Sequence, residues 1–234
     1  MNSKVYSESD RDLKYYGRRI GHRLSLNKKQ KFEKIFPKLR IELDKSNEST
    51  KSLFRPDGRK TWLEIGFGSG ENLLHQINKY HKINFIGCEP YINGLASLVC
   101  NIKEKDYDRV KLFNDDVNIL LRRLPNKSVN NLFVLFPDPW PKMRHHKRRL
   151  IKPVIIEIFS RILDKGAKVF IATDDMNYMK NILISFINNK NFNWLISKPS
   201  DLFERPNILV KTRYENKALN KGIRPAYIVM EKIV

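Results

Sequence analysis

The nonapeptide Trp-Leu-Glu-Ile-Gly-Phe-Gly-Ser-Gly, Trp62 to Gly70, decides how the chain folds. Its first residues form a short apolar run that reads as a buried strand, and the polar stretch from Glu71 reads as a helix. Between them, Gly66, Gly68 and Gly70 let the backbone turn sharply and let a ligand press against it without meeting a Cβ. The spacing is G-x-G-x-G, whereas dinucleotide folds prefer G-x-G-x-x-G, and no Gly-Lys-Ser/Thr follows as a P-loop requires. Glu64 sits inside the strand just before the turn. A carboxylate there is a poor host for pyrophosphate and a good partner for a sulfonium or an amino group.

Outward from this turn, short apolar runs alternate with helical stretches. Thr61–Ile65, Phe85–Cys88, Val110–Phe113, Leu132–Phe136 and Lys168–Ala172 read as five strands at intervals that suit βαβ units. Two more strands fall near Phe192–Ser197 and Arg224–Met230, the second alternating as a strand beside an edge does. The expected architecture is α/β: a Rossmann-like, doubly wound and mostly parallel sheet flanked by helices. Residues 1–55 form a basic N-terminal arm with a helix over Asn27–Asp44, Asp44–Asp57 a polar linker, and residues 56–234 the main domain. Acids recur where the strands end. Glu89, in Gly87-Cys88-Glu89-Pro90, is placed to accept from both hydroxyls of a ribose, and Asp115 or Asp116 after the third strand can accept an adenine amino group. Three acids in register beside this glycine turn favour S-adenosylmethionine over NAD as cofactor. The five histidines and two cysteines show no metal-ligand spacing, so no metal is expected.

The fourth strand runs into Pro137-Asp138-Pro139-Trp140, where neither proline can donate to a sheet ladder. Asp138 is thereby left at a strand's carboxyl end, where open α/β sheets bind their ligands. Lys142, Arg144, Lys147, Arg148, Arg149 and Lys152 follow closely. The whole chain carries a formal net charge of +20, and Arg11 to Arg40 holds eleven cations against two acids. Such an excess points to a polyanionic partner, and the aromatics among the cations, as in Tyr15-Tyr16-Gly17-Arg18-Arg19, favour nucleic acid. A solvated, disordered tail is the competing reading of this arm. With 41% hydrophobic residues, no run near the roughly 18 apolar residues of a membrane span, and no signal-like N-terminus, a cytoplasmic protein is expected.

Taken together, LEIGFGSGENLL (Leu63–Leu74), IGCEP (Ile86–Pro90), LFPDPWPKMRHHKRRLI (Leu135–Ile151), ATDD (Ala172–Asp175) and TRYENK (Thr212–Lys217) resemble the bacterial tRNA (guanine-N7-)-methyltransferase family. That is a family of class I methyltransferases dependent on S-adenosylmethionine. The glycine turn marks only the superfamily, whereas Pro-Asp-Pro-Trp with the basic run and a downstream Thr-x-x-Glu marks the family. The resemblance implies a seven-stranded sheet and methylation of N7 of the variable-loop guanosine at position 46 of tRNA. By motif it implies a methyl-donor site of Glu64, Gly66, Gly68, Gly70, Glu89, Asp115 and Asp138, with Asp138 also at the catalytic centre. It implies nucleotide contacts from Lys142, Asp174, Thr212, Arg213, Tyr214 and Glu215. The adjacent acids Asp116 and Asp175 leave each pair open by one position.

Guanine N7 already carries a lone pair, so the reaction needs positioning and charge stabilisation rather than a general base. Asp138 and Asp174 suit a ring that becomes cationic, with Glu215 a third candidate. Trp140 either stacks on the base or packs to hold the turn. Arg18, Arg19, Arg144, Lys147, Arg148 and Arg149 are the expected phosphate contacts, and His145 and His146 are read as non-catalytic. No membrane partner is expected, and monomer and homodimer stay open.

Overall fold

A computed structural model describes residues 16–43 and 53–234. Seven strands form one sheet: β1 (Lys60–Ile65), β2 (Ile83–Cys88), β3 (Val110–Phe113), β4 (Val129–Leu135), β5 (Leu163–Thr173), β6 (Phe192–Trp194) and β7 (Ala226–Lys232). Their order is β3-β2-β1-β4-β5-β7-β6. The first five strands pair in parallel, and β7 lies antiparallel between β5 and β6. The chain reverses direction across the sheet between β3 and β4, so the carboxyl ends of β1 and β4 flank a crevice where a ligand can enter.

Among the described residues, seven α-helices complete the fold: α1 (Leu26–Leu39), α2 (Glu71–Lys79), α3 (Ile92–Val99), α4 (Val117–Arg123), α5 (Pro153–Ile162), α6 (Met176–Ile187) and α7 (Arg213–Leu219). Apolar side chains of α1, α2 and α3, among them Leu39, Leu73, Ile77, Leu95 and Leu98, form the core on one face. Leu121, Ile155, Phe159 and Ile182 from α4, α5 and α6 build the core on the other. Coverage of both faces explains why Trp62–Ile65 and Leu132–Leu135 are continuously buried rather than alternating.

Part of the N-terminal arm, read from the sequence as lying before the main domain, packs on the sheet. Phe36 and Leu39 of α1 are buried in the same core as α3, and the Ile41 amide donates to the Leu112 carbonyl at 2.8 Å, beside an isolated bridge from Arg40 to β3. This segment therefore belongs to the domain and covers the β3 edge, which would otherwise present unpaired backbone groups. The helix ends at Leu39; its expected end at Asp44, the first part of the linker, and Arg11, Lys14 and Tyr15 lie outside the described residues.

Candidate active site

The glycine turn forms as its sequence demands. Gly66, Gly68 and Gly70 all have positive φ, at 70°, 57° and 81°, a region that side chains with a Cβ rarely occupy. Gly66 and Gly68 line a cleft of about 780 Å³ at the carboxyl ends of the strands. Gly70 has another duty: it precedes α2, and a Cβ on it would come within 2.8 Å of the Leu98 side chain. Ile65, Cys88, Glu89, Leu135, Phe136, Asp138, Trp140, Arg213 and Tyr214 also line the cleft.

Glu89 closes the glycine turn from the β2 side. Its Oε2 accepts from the Gly68 amide at 2.7 Å and its Oε1 from the Tyr91 amide at 2.9 Å. Burial raises its pKa, the two amides pull it down, and nearby Asp138 pushes it up again. Asp138 is open to solvent on the cleft wall, yet desolvation by the surrounding protein raises its pKa too. The turn carrying it is strained on both sides, since Phe136 and Trp140 have φ of 54° and 45° without being glycine.

Glu64 is placed otherwise. It is buried beneath the turn rather than lining the cleft, accepts from Asn72 Nδ2 at 2.8 Å, and is pushed by burial to a pKa of about 8. Asn72 Oδ1 in turn accepts from the Val210 amide at 3.3 Å, and Glu71 accepts from the Arg213 amide at 2.9 Å. The first turn of α2 thus holds the segment that presents Arg213 and Tyr214 to the cleft. In the sequence Asn72 stands out little, being one of two polar residues, with Gln76, that α2 buries beside Leu73 and Ile77.

Thr212 and Glu215 do not share the orientation of the two residues between them. Thr212 caps α7, its Oγ1 accepting from the Glu215 amide at 3.3 Å, and the buried Glu215 carboxylate meets Arg205 at 3.5 Å. Both are turned inward because positions three apart lie on one face of a helix's first turn, while Arg213 and Tyr214 on the other side stay exposed. The Tyr214 ring stacks on Phe136 at 6.3 Å. Lys142 is exposed at the start of the 3₁₀ turn Met143–Arg148, and Asp174 follows the end of β5; neither lines the cleft.

The expected phosphate contacts separate into groups. Arg144 and Lys147 are exposed on the 3₁₀ turn, whereas Arg148 lies over the Tyr16 and Trp140 rings at 5.0 and 4.9 Å. Arg18 lines the cleft and Arg19 pairs with Asp115 at 2.9 Å. The Arg19 carbonyl accepts from the Ile92 amide, and Asn93 bonds both the Gly21 amide and the His22 carbonyl, so this part of the arm runs along the cleft rim. Asp116, adjacent to Asp115, caps α4. Arg149 departs from the phosphate expectation: it is 3% exposed and bonded to Pro139 and Asn177. A helical spacing cannot tell a solvated cation from one folded back onto its own turn. Desolvation and the surrounding cations lower the pKa of His145.

No helix among the described residues is long and apolar enough to cross a membrane, and no group of His, Cys, Asp and Glu among them could hold a metal. A parallel sheet with one antiparallel strand inserted next to its edge, a glycine turn after β1 and an acid after β2 define a class I methyltransferase. Solved structures share this fold: an antibiotic-resistance methyltransferase, Kmr, with a TM-score of 0.50 at 13% identity over 76% of this chain and 89% of that one. The [4+2]-cyclase SpnF gives a TM-score of 0.51 at 14% identity over 76% and 77%. The family described as "Putative methyltransferase" matches residues 58–226. The tRNA (guanine-N(7)-)-methyltransferase of Rhodospirillum rubrum is 37% identical over 225 residues, 94% of this chain and 88% of that protein. Its counterpart in Bartonella henselae is 38% identical over 93% and 95%, and that of Ruegeria pomeroyi 42% over 75% and 74%. The chain belongs to the tRNA (guanine-N(7)-)-methyltransferase family.

Proposed function

We propose that the chain transfers a methyl group from S-adenosylmethionine to N7 of a guanine in tRNA, with the variable-loop guanosine as its target. The observation that carries this reading is Asp138 sharing one cleft with the glycine turn and Glu89, with exposed cations at its mouth, in a chain of this family. The cleft suits the donor: it has nucleoside-sized room, bare glycine backbone, apolar walls from Ile65 and Leu135, and an inward-facing carboxylate. S-adenosylmethionine supplies an electrophilic methyl group on a sulfonium.

Glu89 keeps acceptor capacity beyond its bonds to the Gly68 and Tyr91 amides and accepts the ribose hydroxyls. Asp138 stands beside the purine as N7 becomes cationic, and its charge acts strongly where substrate displaces water. N7 needs no deprotonation, so the residues work by orientation and by charge rather than by proton transfer. Asp174, immediately after β5, is a second carboxylate on the acceptor side, and Lys142 leads the chain into the basic turn. Arg18, Arg144 and Lys147 hold phosphates, which fixes register without reading sequence. Such a substrate places the protein in the cytoplasm.

The test is to supply labelled donor with tRNA transcripts made from guanosine or from 7-deazaguanosine. Label should enter only the first. Equal labelling of both would mean that the methyl group goes to another atom.

A further inference from the structure

The guanidinium of Arg149 is only partly used by the fold. Its Nε donates to the Pro139 carbonyl at 2.7 Å, its Nη2 donates to Asn177 Oδ1 at 2.9 Å, and its plane lies over the Tyr178 ring at 4.8 Å. Nη1 is equally buried and has no hydrogen-bond partner among the described residues. The side chain is 3% exposed and lines the cleft. Buried charged donors are costly when unmet, so a donor held rigidly on two sides and free on the third is a place for an acceptor to dock.

Position says which acceptor. Pro139 follows Asp138 directly, and Asn177 and Tyr178 lie in α6, which follows β5. The glycine turn, Glu89 and Asp115 lie after β1, β2 and β3, on the other side of β4 in the sheet. Arg149 therefore stands on the side of Asp138 away from the methyl-donor residues, where the acceptor base must lie. This step rests on the guanine-N7 reading above. Guanine presents O6 on the same edge as N7, and an arginine commonly grips both atoms at once. Here Nε and Nη2 are engaged on the protein, which leaves a single nitrogen for the base and leaves the N7 lone pair open to the methyl group.

We infer that Nη1 of Arg149 donates to O6 of the target guanine and so sets the enzyme's preference for guanine over adenine. Adenine carries an amino group at that position, and its N–H would face the guanidinium donor to donor. A site built to hydrogen-bond its substrate rejects the analogue that cannot complete the bond. The same side chain, through Pro139, holds the turn that carries Asp138, so it also has a positioning role.

The experiment compares tRNA transcripts with guanosine or 2-aminopurine riboside at the target nucleotide; the analogue keeps N7 and the 2-amino group but lacks O6. Wild-type enzyme and the variants Arg149→Met and Arg149→Lys are each assayed for kcat/KM on both substrates, and the ratio of ratios removes the intrinsic difference between the bases. The guanosine preference should fall on the order of tenfold to a hundredfold in Arg149→Met, the worth of a bond from a charged donor. Arg149→Lys keeps a cation that can reach Pro139, so it guards against a folding defect; it should lose part of the preference. If both variants lose activity equally on the two substrates, Arg149 only pins the turn and the inference is overturned. A raised KM for S-adenosylmethionine with the base preference intact would assign Nη1 to the donor and overturn it as well. Absence of turnover on guanosine by the wild type would instead strike the guanine-N7 reading beneath it.

Discussion

Replacing Glu64 with glutamine should change how stability depends on pH. Burial drives the Glu64 carboxyl from an ordinary pKa of 4.5 to about 8, against the opposing Asn72 bond, with a smaller contribution from the Glu89 charge. The difference of about 3.5, at 1.36 kcal/mol for each pH unit, comes to roughly 5 kcal/mol. Below pH 4.5 both the folded and the unfolded chain hold the proton, and the stabilisation is complete. As pH rises toward 8 the unfolded chain has released its proton while the folded chain still keeps it, so stability falls. Above 8 the folded protein carries a buried charge and the loss levels off. Glutamine has the shape of the neutral acid, and its amide oxygen can still accept from Asn72 Nδ2. Urea unfolding followed by tryptophan fluorescence at pH 5.5 and pH 8 would measure the effect. The advantage of Glu64→Gln over wild type should grow by about 3 kcal/mol between those two points. A difference between the two proteins that stays constant across this range would refute a neutral, buried Glu64.

Asp138→Ala should abolish turnover while tRNA affinity stays within a few fold, because the change removes an acid and no cation; a large affinity loss with normal turnover at saturation would remove its catalytic role. Because desolvation by the surrounding protein raises the Asp138 pKa, wild-type activity should decline as pH falls, beginning above the range of an ordinary aspartate, in a pH–rate profile. Replacing exposed Arg144 and Lys147 together with alanine should weaken tRNA binding and flatten its log–log salt dependence by about one unit per lost phosphate contact. Tyr178→Phe should destabilise the fold by about 1–3 kcal/mol in chemical denaturation, since it leaves the Ile151 amide, now bonded to the Tyr178 hydroxyl at 2.9 Å, buried without an acceptor.

The parallel sheet was legible because each central strand is an apolar run bounded by turn residues, and burial on both faces makes such runs continuous. The start of β5 was not: Leu163–Ala167 carries Asp164, Lys165 and Gly166 and lies N-terminal to the apolar stretch. Docking of α1 was obscured because its cations outnumber the few residues, such as Phe36 and Leu39, that enter the core. At the site, the residue types at strand ends predicted which side chains come together, as with Glu89 and Asp138. Sequence could not predict which way a side chain turns. Thr212 caps a helix and Glu215 turns to Arg205 while Tyr214 between them faces the cleft, and Arg149 folds back onto Pro139 within a run where Arg144 and Lys147 meet solvent. Those outcomes depend on tertiary acceptors that lie far apart in the chain or on the path of the backbone itself.

The purified protein is incubated with labelled S-adenosylmethionine and unmodified tRNA, the RNA is digested to nucleosides, and the labelled product is identified by chromatography. The labelled nucleoside should be 7-methylguanosine. Label in any other methylated nucleoside, or none despite measured binding of tRNA, would contradict the guanine-N7 reading.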